Sequence, residues 1–177
     1  MDGTRMTVNH ATAGSSSAGY LSAVSSTAVD LTATLTVDSV PNGGGLYASV
    51  IGRRVSGSNY KAKVQYRNTG QVSLQITRSA GGTETVLQNI IVPNLTLTGG
   101  EPLRLRLQVT GTGTTSVQAK LWKQGQTEPT AWMVTATDTT AALQVAGQIG
   151  YDTYLSGSTT TLPVVFHLDD LVVTPTQ

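Results

Sequence analysis

Two adjacent carboxylates, Asp169 and Asp170, interrupt the run VVFHLDDLVV at 164–173. A pair of acids can cleave a glycosidic bond, hold a cation, or tie a strand end to its neighbours. Glycoside hydrolysis needs both carboxyls on one side of the substrate. In a regular strand neighbouring side chains point to opposite faces, so Phe166, Leu168 and Asp170 should share one face and His167 and Asp169 the other. That alternation argues against a catalytic dyad. Glu84, Glu101 and Glu128 lie in or beside turns, and no Ser/His/Asp arrangement is legible around His10 or His167. The expectation is a chain without catalytic residues.

Asp169 is the candidate metal ligand, because Ca²⁺ takes several hard oxygens from carboxylates and loop carbonyls. Asp2 and Asp30 are the available co-ligands, although neither stands in a recognised spacing. The alternative needs no metal: Asp169 and Asp170 accept hydrogen bonds from turn amides or a basic neighbour. Both readings stay open on the sequence.

A second group of polar residues appears once strand faces are assigned. Lys61, Lys63 and Arg67, then Arg104, Arg106 and Gln108, then Gln118, Lys120 and Trp122 alternate with apolar residues. Were these strands to share a sheet, six of the eleven basic residues would line one surface. Cationic side chains beside an indole suit sugar hydroxyls and a stacked sugar ring. The plainer alternative is a solvated face that keeps a sheet from aggregating. Tyr151 and Tyr154, in GYDTYLSG, are placed at a loop tip where they too could stack on sugar. Trp122 and Trp132 flank QGQTEP and read as a structural corner over the core rim. The triplet Gly43–Gly45 is a turn and not a phosphate loop, because no helix and no Lys-Ser/Thr pair follows it.

The elements that position these residues are strands. Charged residues make up 12% of the chain and aromatics 5%, while Thr, Ser, Gly and Val abound, a balance that favours strands and turns. Period-2 alternation recurs at Leu31/Ala33/Leu35/Val37, Tyr60/Ala62/Val64/Tyr66 and Leu103/Leu105/Leu107/Val109, among others. Turn-forming clusters separate the runs: PNGGG, SGSN, NTG, AGG and GTGTT. About eleven strands can be counted, with DTTAALQVAG at 138–147 either a loop or one helical turn. Short strands at regular spacing without helices indicate a sandwich or jelly roll. The 177 residues suit one domain, 1–177, with 1–19 a poorly defined N-terminal segment.

Net charge is +1, which gives no excess to draw nucleic acid or an anionic membrane. No apolar run approaches the roughly 18 residues of a membrane span. The absence of cysteine removes disulfides, thiolate metal sites and cysteine nucleophiles.

Four stretches, GGGLYASVIGRRVSGSNYKAKV, VSLQITRSAGGTETVL, AKLWKQGQTEPTAW and GQIGYDTYLSGSTTTLPVVFHLDDLVV, resemble concanavalin A-like (LamG-like) jelly-roll modules. Modules of this type are appended to secreted actinobacterial proteins and to tail proteins of actinophages. The similarity spans Tyr20 to Thr174. It implies an all-β sandwich of two antiparallel sheets, one of them concave, sugar-binding relatives and structural Ca²⁺. No Gly/Trp-rich segment precedes Tyr20 as the family pattern would have it, so the sandwich would lack an N-terminal strand. An open sheet edge would then invite a second copy or a neighbouring domain.

The expected function is a non-catalytic module that binds polysaccharide or cell-surface glycan through a concave polar face or a loop tip. Its place would be extracellular or on a virion surface. The alternative is a structural or receptor-binding component of a phage tail, and after it a glycoside hydrolase or lyase.

Overall fold

Each alternating run is a strand in the computed structural model, which describes residues 5–175. In chain order the strands are β1 (Met6–His10), β2 (Ser16–Ser26), β3 (Val29–Val37), β4 (Leu46–Val55), β5 (Ser58–Tyr66), β6 (Gln71–Ala80), β7 (Thr83–Thr96), β8 (Leu103–Thr110), β9 (Thr115–Lys123), β10 (Val134–Asp138), β11 (Gly147–Leu155) and β12 (Val164–Pro175). A single 3₁₀ turn, Ala141–Leu143, occupies the stretch read as a loop or helical turn. The strands form two six-stranded antiparallel sheets, β1-β12-β3-β8-β9-β10 and β2-β11-β4-β5-β6-β7. This is the jelly-roll sandwich expected from the sequence.

Alternation produces the core directly. In β8 the leucines and Val109 point inward and are at most 1% exposed, while Arg104, Arg106 and Gln108 between them stay half-buried on the outer face. Val50, Ala62, Val64, Leu74 and Ile76 answer them from the second sheet, and these residues belong to one continuous apolar cluster. Both sheets therefore bury one face and leave the other polar, as antiparallel sheets commonly do.

Three expectations are corrected here. The described residues before Tyr20, from residue 5 on, are not poorly defined: they supply β1, which pairs with β12 at the edge of the first sheet, and the start of β2, which pairs with β11. Among the described residues the strands number twelve against about eleven expected, and β1 and β10 are too short and too polar to stand out by pattern. Asp170 does not share a face with Phe166 and Leu168. The β12–β3 register steps from Asp169↔Thr34 to Val172↔Thr32, so β12 carries one extra residue, and Asp170 sits there in the left-handed region at φ 47°. The bulge re-aims its carboxylate to the outer face, where it accepts from Thr34 Oγ1 at 2.8 Å and pairs with Arg104 at 3.3 Å.

A second bulge has larger consequences. The β4–β5 register skips from Ile51↔Lys61 to Arg53↔Tyr60, leaving Gly52 unpaired. Gly52 faces the opposite sheet so closely that a Cβ there would lie 2.5 Å from Val109 Cγ2. The extra residue turns Arg53 inward beside Tyr60, and its side chain is 0% exposed. Its guanidinium donates to Thr115 Oγ1 at 2.8 Å, Leu143 O at 2.9 Å, Gly111 O at 2.9 Å and Thr27 O. These acceptors are three carbonyls and a hydroxyl, none of them charged. One side chain thus ties the β2–β3 turn, the β8–β9 turn and the 3₁₀ turn to β4. Replacing it by an apolar residue strands buried carbonyls without donors, each worth about 1–3 kcal/mol. Arg53→Met should therefore lower unfolding free energy by roughly 3 kcal/mol or more, read as a shift of the urea midpoint at unchanged slope.

Candidate functional site

The nine candidate residues divide between the two sheets. Arg104, Arg106, Lys120 and Trp122 stand on β8 and β9 of the first sheet, Lys61 and Lys63 on β5 of the second. The single basic surface expected from the sequence does not exist, because β5 is not a neighbour of β8 or β9. Periodicity gives a strand's faces but not its sheet.

On the first sheet the cations are engaged internally. Arg106 donates Nε and Nη2 to Asp30 Oδ1 and Oδ2 at 2.8 and 2.7 Å, and Nη1 to Glu128 Oε1 at 2.7 Å. Lys120 Nζ meets the same Glu128 oxygen at 2.7 Å and donates to Pro129 O at 2.7 Å. Trp132 packs against both cations, its ring centroid 5.7 Å from the Arg106 guanidinium carbon and 4.8 Å from Lys120 Nζ. The β9–β10 connection therefore folds back across this face as a strap, and Trp122 beneath it is 9% exposed. Bonds from Lys120 and Arg106 hold the Glu128 carboxyl below its ordinary value, and those from Asp30 and Glu128 raise Arg106 further.

The outer face of the second sheet is different. Its register sets Asp152, Ser49, Lys63 and Gln75 in one row across β11, β4, β5 and β6, with Tyr154, Tyr47 and Gln65 in the next. Lys61 Nζ lies 2.6 Å from Asp152 Oδ2 and 3.0 Å from Glu84 Oε2, and Lys63 Nζ pairs with Glu84 Oε1. Four charges of alternating sign, Asp152, Lys61, Glu84 and Lys63, thus form a chain from β11 to β7. Beside it Tyr47 and Tyr154 stand with ring centroids 6.2 Å apart at 33°, and Lys63 Nζ is 5.8 Å from the Tyr47 ring. Gln65 fixes Tyr47 by donating to its hydroxyl at 2.9 Å. The four charges and the two tyrosines, with Ser16–Ala18 and Ser156, surround a groove of about 540 Å³.

The groove is polar but electrically balanced. Burial alone would push the Glu84 carboxyl up, yet bonds from Lys63 and Lys61 outweigh it and hold it below its ordinary value. Burial likewise works against charge on Lys61, and Asp152 and Glu84 more than offset it, so Lys61 is raised. Ser49 Oγ and Thr77 Oγ1, buried on this same face, have no hydrogen-bond partner among the described residues.

Of the two tyrosines placed at a loop tip, Tyr154 lines the groove and is 45% exposed. Tyr151 is not at a tip: it points inward, packs against the core and lies opposite Gly19, where any Cβ would clash with its ring. Tyr47, Glu84 and Asp152 are groove residues that sequence reading passed over. Tyr47 had a signal, being the polar-phase residue in LYASV, whereas Glu84 and Asp152 are joined to the lysines only by sheet pairing.

Asp169 lies on the outer face of β12, its Oδ1 accepting from the Asp170 backbone N–H at 2.8 Å. Asp30 is bound by Arg106 and Gln108, and Asp2 lies outside the described residues. Among the described residues no three His, Asp or Glu side chains come together as a metal-binding group.

No family model and no curated protein sequence matches the chain. Solved structures do match in fold. A carbohydrate-binding module, CBM66 from Bacillus subtilis, superposes with a TM-score of 0.63 at 11% identity, over 93% of this chain and 84% of that one. The alginate lyase Aly36B, solved as a variant with an alginate trisaccharide, gives 0.64 at 15% identity, over 100% and 83%. A legume lectin-like domain from Entamoeba histolytica gives 0.61 at 10% identity, over 98% and 85%. The chain shares the lectin-like jelly-roll fold of these proteins.

Two measurements check this description. Glu84 and Glu128, ordinarily at 4.5, and Asp138, ordinarily at 3.8, all titrate lower in the folded protein. Their stabilisation is present above those ordinary values and is lost as pH falls through the folded ones. The melting midpoint should hold above about pH 5 and drop below it, less steeply in Glu84→Gln. Ca²⁺ bound only to the folded chain would raise the midpoint. An ion held through Asp169 is expected to show as a midpoint that Ca²⁺ raises and EDTA lowers in the wild type but not in Asp169→Asn, whereas an Asp169 that only ties down the β12 bulge gives no Ca²⁺ response in either.

Proposed function

We propose that the chain is a non-catalytic carbohydrate-binding module whose contact surface is the groove on the second sheet. The observation that carries this reading is the pairing of a two-tyrosine platform, Tyr154 exposed and Tyr47 half-buried, with a ring of fixed donors and acceptors. Sugar rings offer an apolar C–H face for aromatic stacking and hydroxyls that both give and accept hydrogen bonds. Tyr47 and Tyr154 meet the first need, and Lys61, Lys63, Glu84 and Asp152 the second. The fold-level likeness to a carbohydrate-binding module, a lectin-like domain and a polysaccharide lyase supports it.

Binding without cleavage is supported by the charge states. General acid–base catalysis favours groups titrating near the working pH, whereas Glu84 is held ionised and Lys61 protonated. The Thr/Ser/Gly-rich composition fits a module displayed outside the cell or on a virion surface. A host protein of the secreted actinobacterial or phage-tail kind remains part of this proposal, as does association through an open sheet edge.

Calorimetric titration against a panel of soluble polysaccharides tests the reading. At least one should bind, and Tyr154→Ala or Tyr47→Ala should weaken it about tenfold, equal to about 1.4 kcal/mol, with the melting midpoint little changed. Arg104→Ala, on the other sheet, should leave the affinity as it was. No new reducing ends or unsaturated ends should appear on prolonged incubation. A panel in which nothing binds would sink the proposal.

A further inference from the structure

The groove's charges specify the class of glycan, and this inference rests on the binding reading above. Two cations, Lys61 and Lys63, face two anions, Glu84 and Asp152, and each lysine already has at least one carboxylate partner. Lys61 is held by a carboxylate on each side and is 6% exposed, so an incoming anion would meet a cation already paired twice.

We infer that the groove is selective for neutral polysaccharide and rejects uronic acid chains, because its lysines are already neutralised by Glu84 and Asp152. A uronate carboxyl entering here would have to displace an internal carboxylate or lie beside one. Like charges at close range cost affinity, and a displaced acid left half-buried without its cation costs more. A hydroxyl meets neither penalty. It can accept from a lysine N–H and donate to a carboxylate oxygen in the same ion pair without breaking the pair. The tyrosine platform adds contact that does not depend on ligand charge. The net charge of +1 supplies no long-range field to favour an anionic chain.

The selectivity separates this chain from the alginate lyase that shares its fold, whose structure holds an alginate trisaccharide. Identity to that enzyme is 15%, so the likeness fixes the sandwich and not the charges on its face.

The experiment titrates the intact chain with neutral glucan, mannan, galactan, fructan and xylan, and with alginate and polygalacturonate, at low and high salt. The result expected is binding to at least one neutral polymer at an affinity that salt changes less than twofold, with alginate and polygalacturonate at least tenfold weaker. Releasing the lysines should invert the preference: the double substitution Glu84→Gln/Asp152→Asn should gain at least tenfold in alginate affinity, with a steep salt dependence. Glu84→Gln alone, which leaves Lys61 paired with Asp152, guards against a double variant that fails to fold, and should show part of the gain. Tighter binding of wild type to alginate or polygalacturonate than to every neutral polymer would overturn the inference while leaving the binding module intact. Failure of all polymers to bind would overturn both.

Discussion

The sandwich depends at one end on a buried charge with no counter-ion among the described residues. Arg53 is a cation in the interior, and desolvation pulls its guanidinium below the ordinary value. What keeps it there is geometry: three carbonyl dipoles and a hydroxyl converge on its Nη atoms from three separate connections. Its hydroxyl partner, Thr115, donates in turn to Gln144 Oε1 at 2.9 Å, and Gln144 Nε2 reaches Tyr60 Oη at 3.2 Å. Tyr60 donates to Asp138 at 2.5 Å and its hydroxyl is pushed up to about 12 by burial and that bond. Asp138 closes the network on Arg78. A buried polar network of this kind specifies one arrangement, since any other would leave its members unsatisfied.

That network constrains the groove through β4 and β5. Arg53 follows the Gly52 bulge on β4, and Tyr60 is its partner on β5, so the register of this central strand pair is fixed at the buried end. The same register decides that Ser49 faces Lys63 and Tyr47 faces Gln65 on the outer side. A slip of one residue would turn the lysines into the core and the alanine and valine between them out to water. At the start of β4 a backbone constraint does the equivalent work: Gly45 takes φ 82° with Tyr66 O so near that no side chain could fit. Tyr47 is thus placed by restraints at both ends of its strand.

Sequence patterning revealed the strands and not their assembly. Leu103 to Val109 alternates so cleanly that its inward and outward residues could be named from the letters alone, and they are as named. What alternation cannot carry is adjacency. Lys61 and Arg106 look alike in pattern, yet one meets Asp152 across two strand pairings and the other meets Asp30 on β3. Nor can it carry bulges: strict alternation puts Asp170 on the core face and gives no sign that Arg53 turns inward. Both are charges at places where one extra residue breaks the period, and only the partner strand reveals the extra residue. Tyr151 failed for a third reason: an inward tyrosine and an outward one have the same letter, and Gly19 on the neighbouring strand makes the room.

The two outer faces show why position matters more than composition for recognition. Each carries lysine or arginine, glutamate or aspartate, and aromatic rings, so by inventory they are equivalent. On the first sheet the acid Glu128 and the ring Trp132 arrive on the strap that joins β9 to β10, and their contacts cover the cations they neutralise. On the second sheet the acids come from the strands themselves, Glu84 from β7 and Asp152 from β11, so neutralisation happens within the sheet surface and leaves the space above it open. Long lysine side chains lose conformational freedom when they are held, and here the ion pairs impose that loss before any ligand arrives. The groove consequently meets a ligand with its donors and acceptors already oriented, which is the arrangement in which hydrogen bonds to sugar hydroxyls cost least to form.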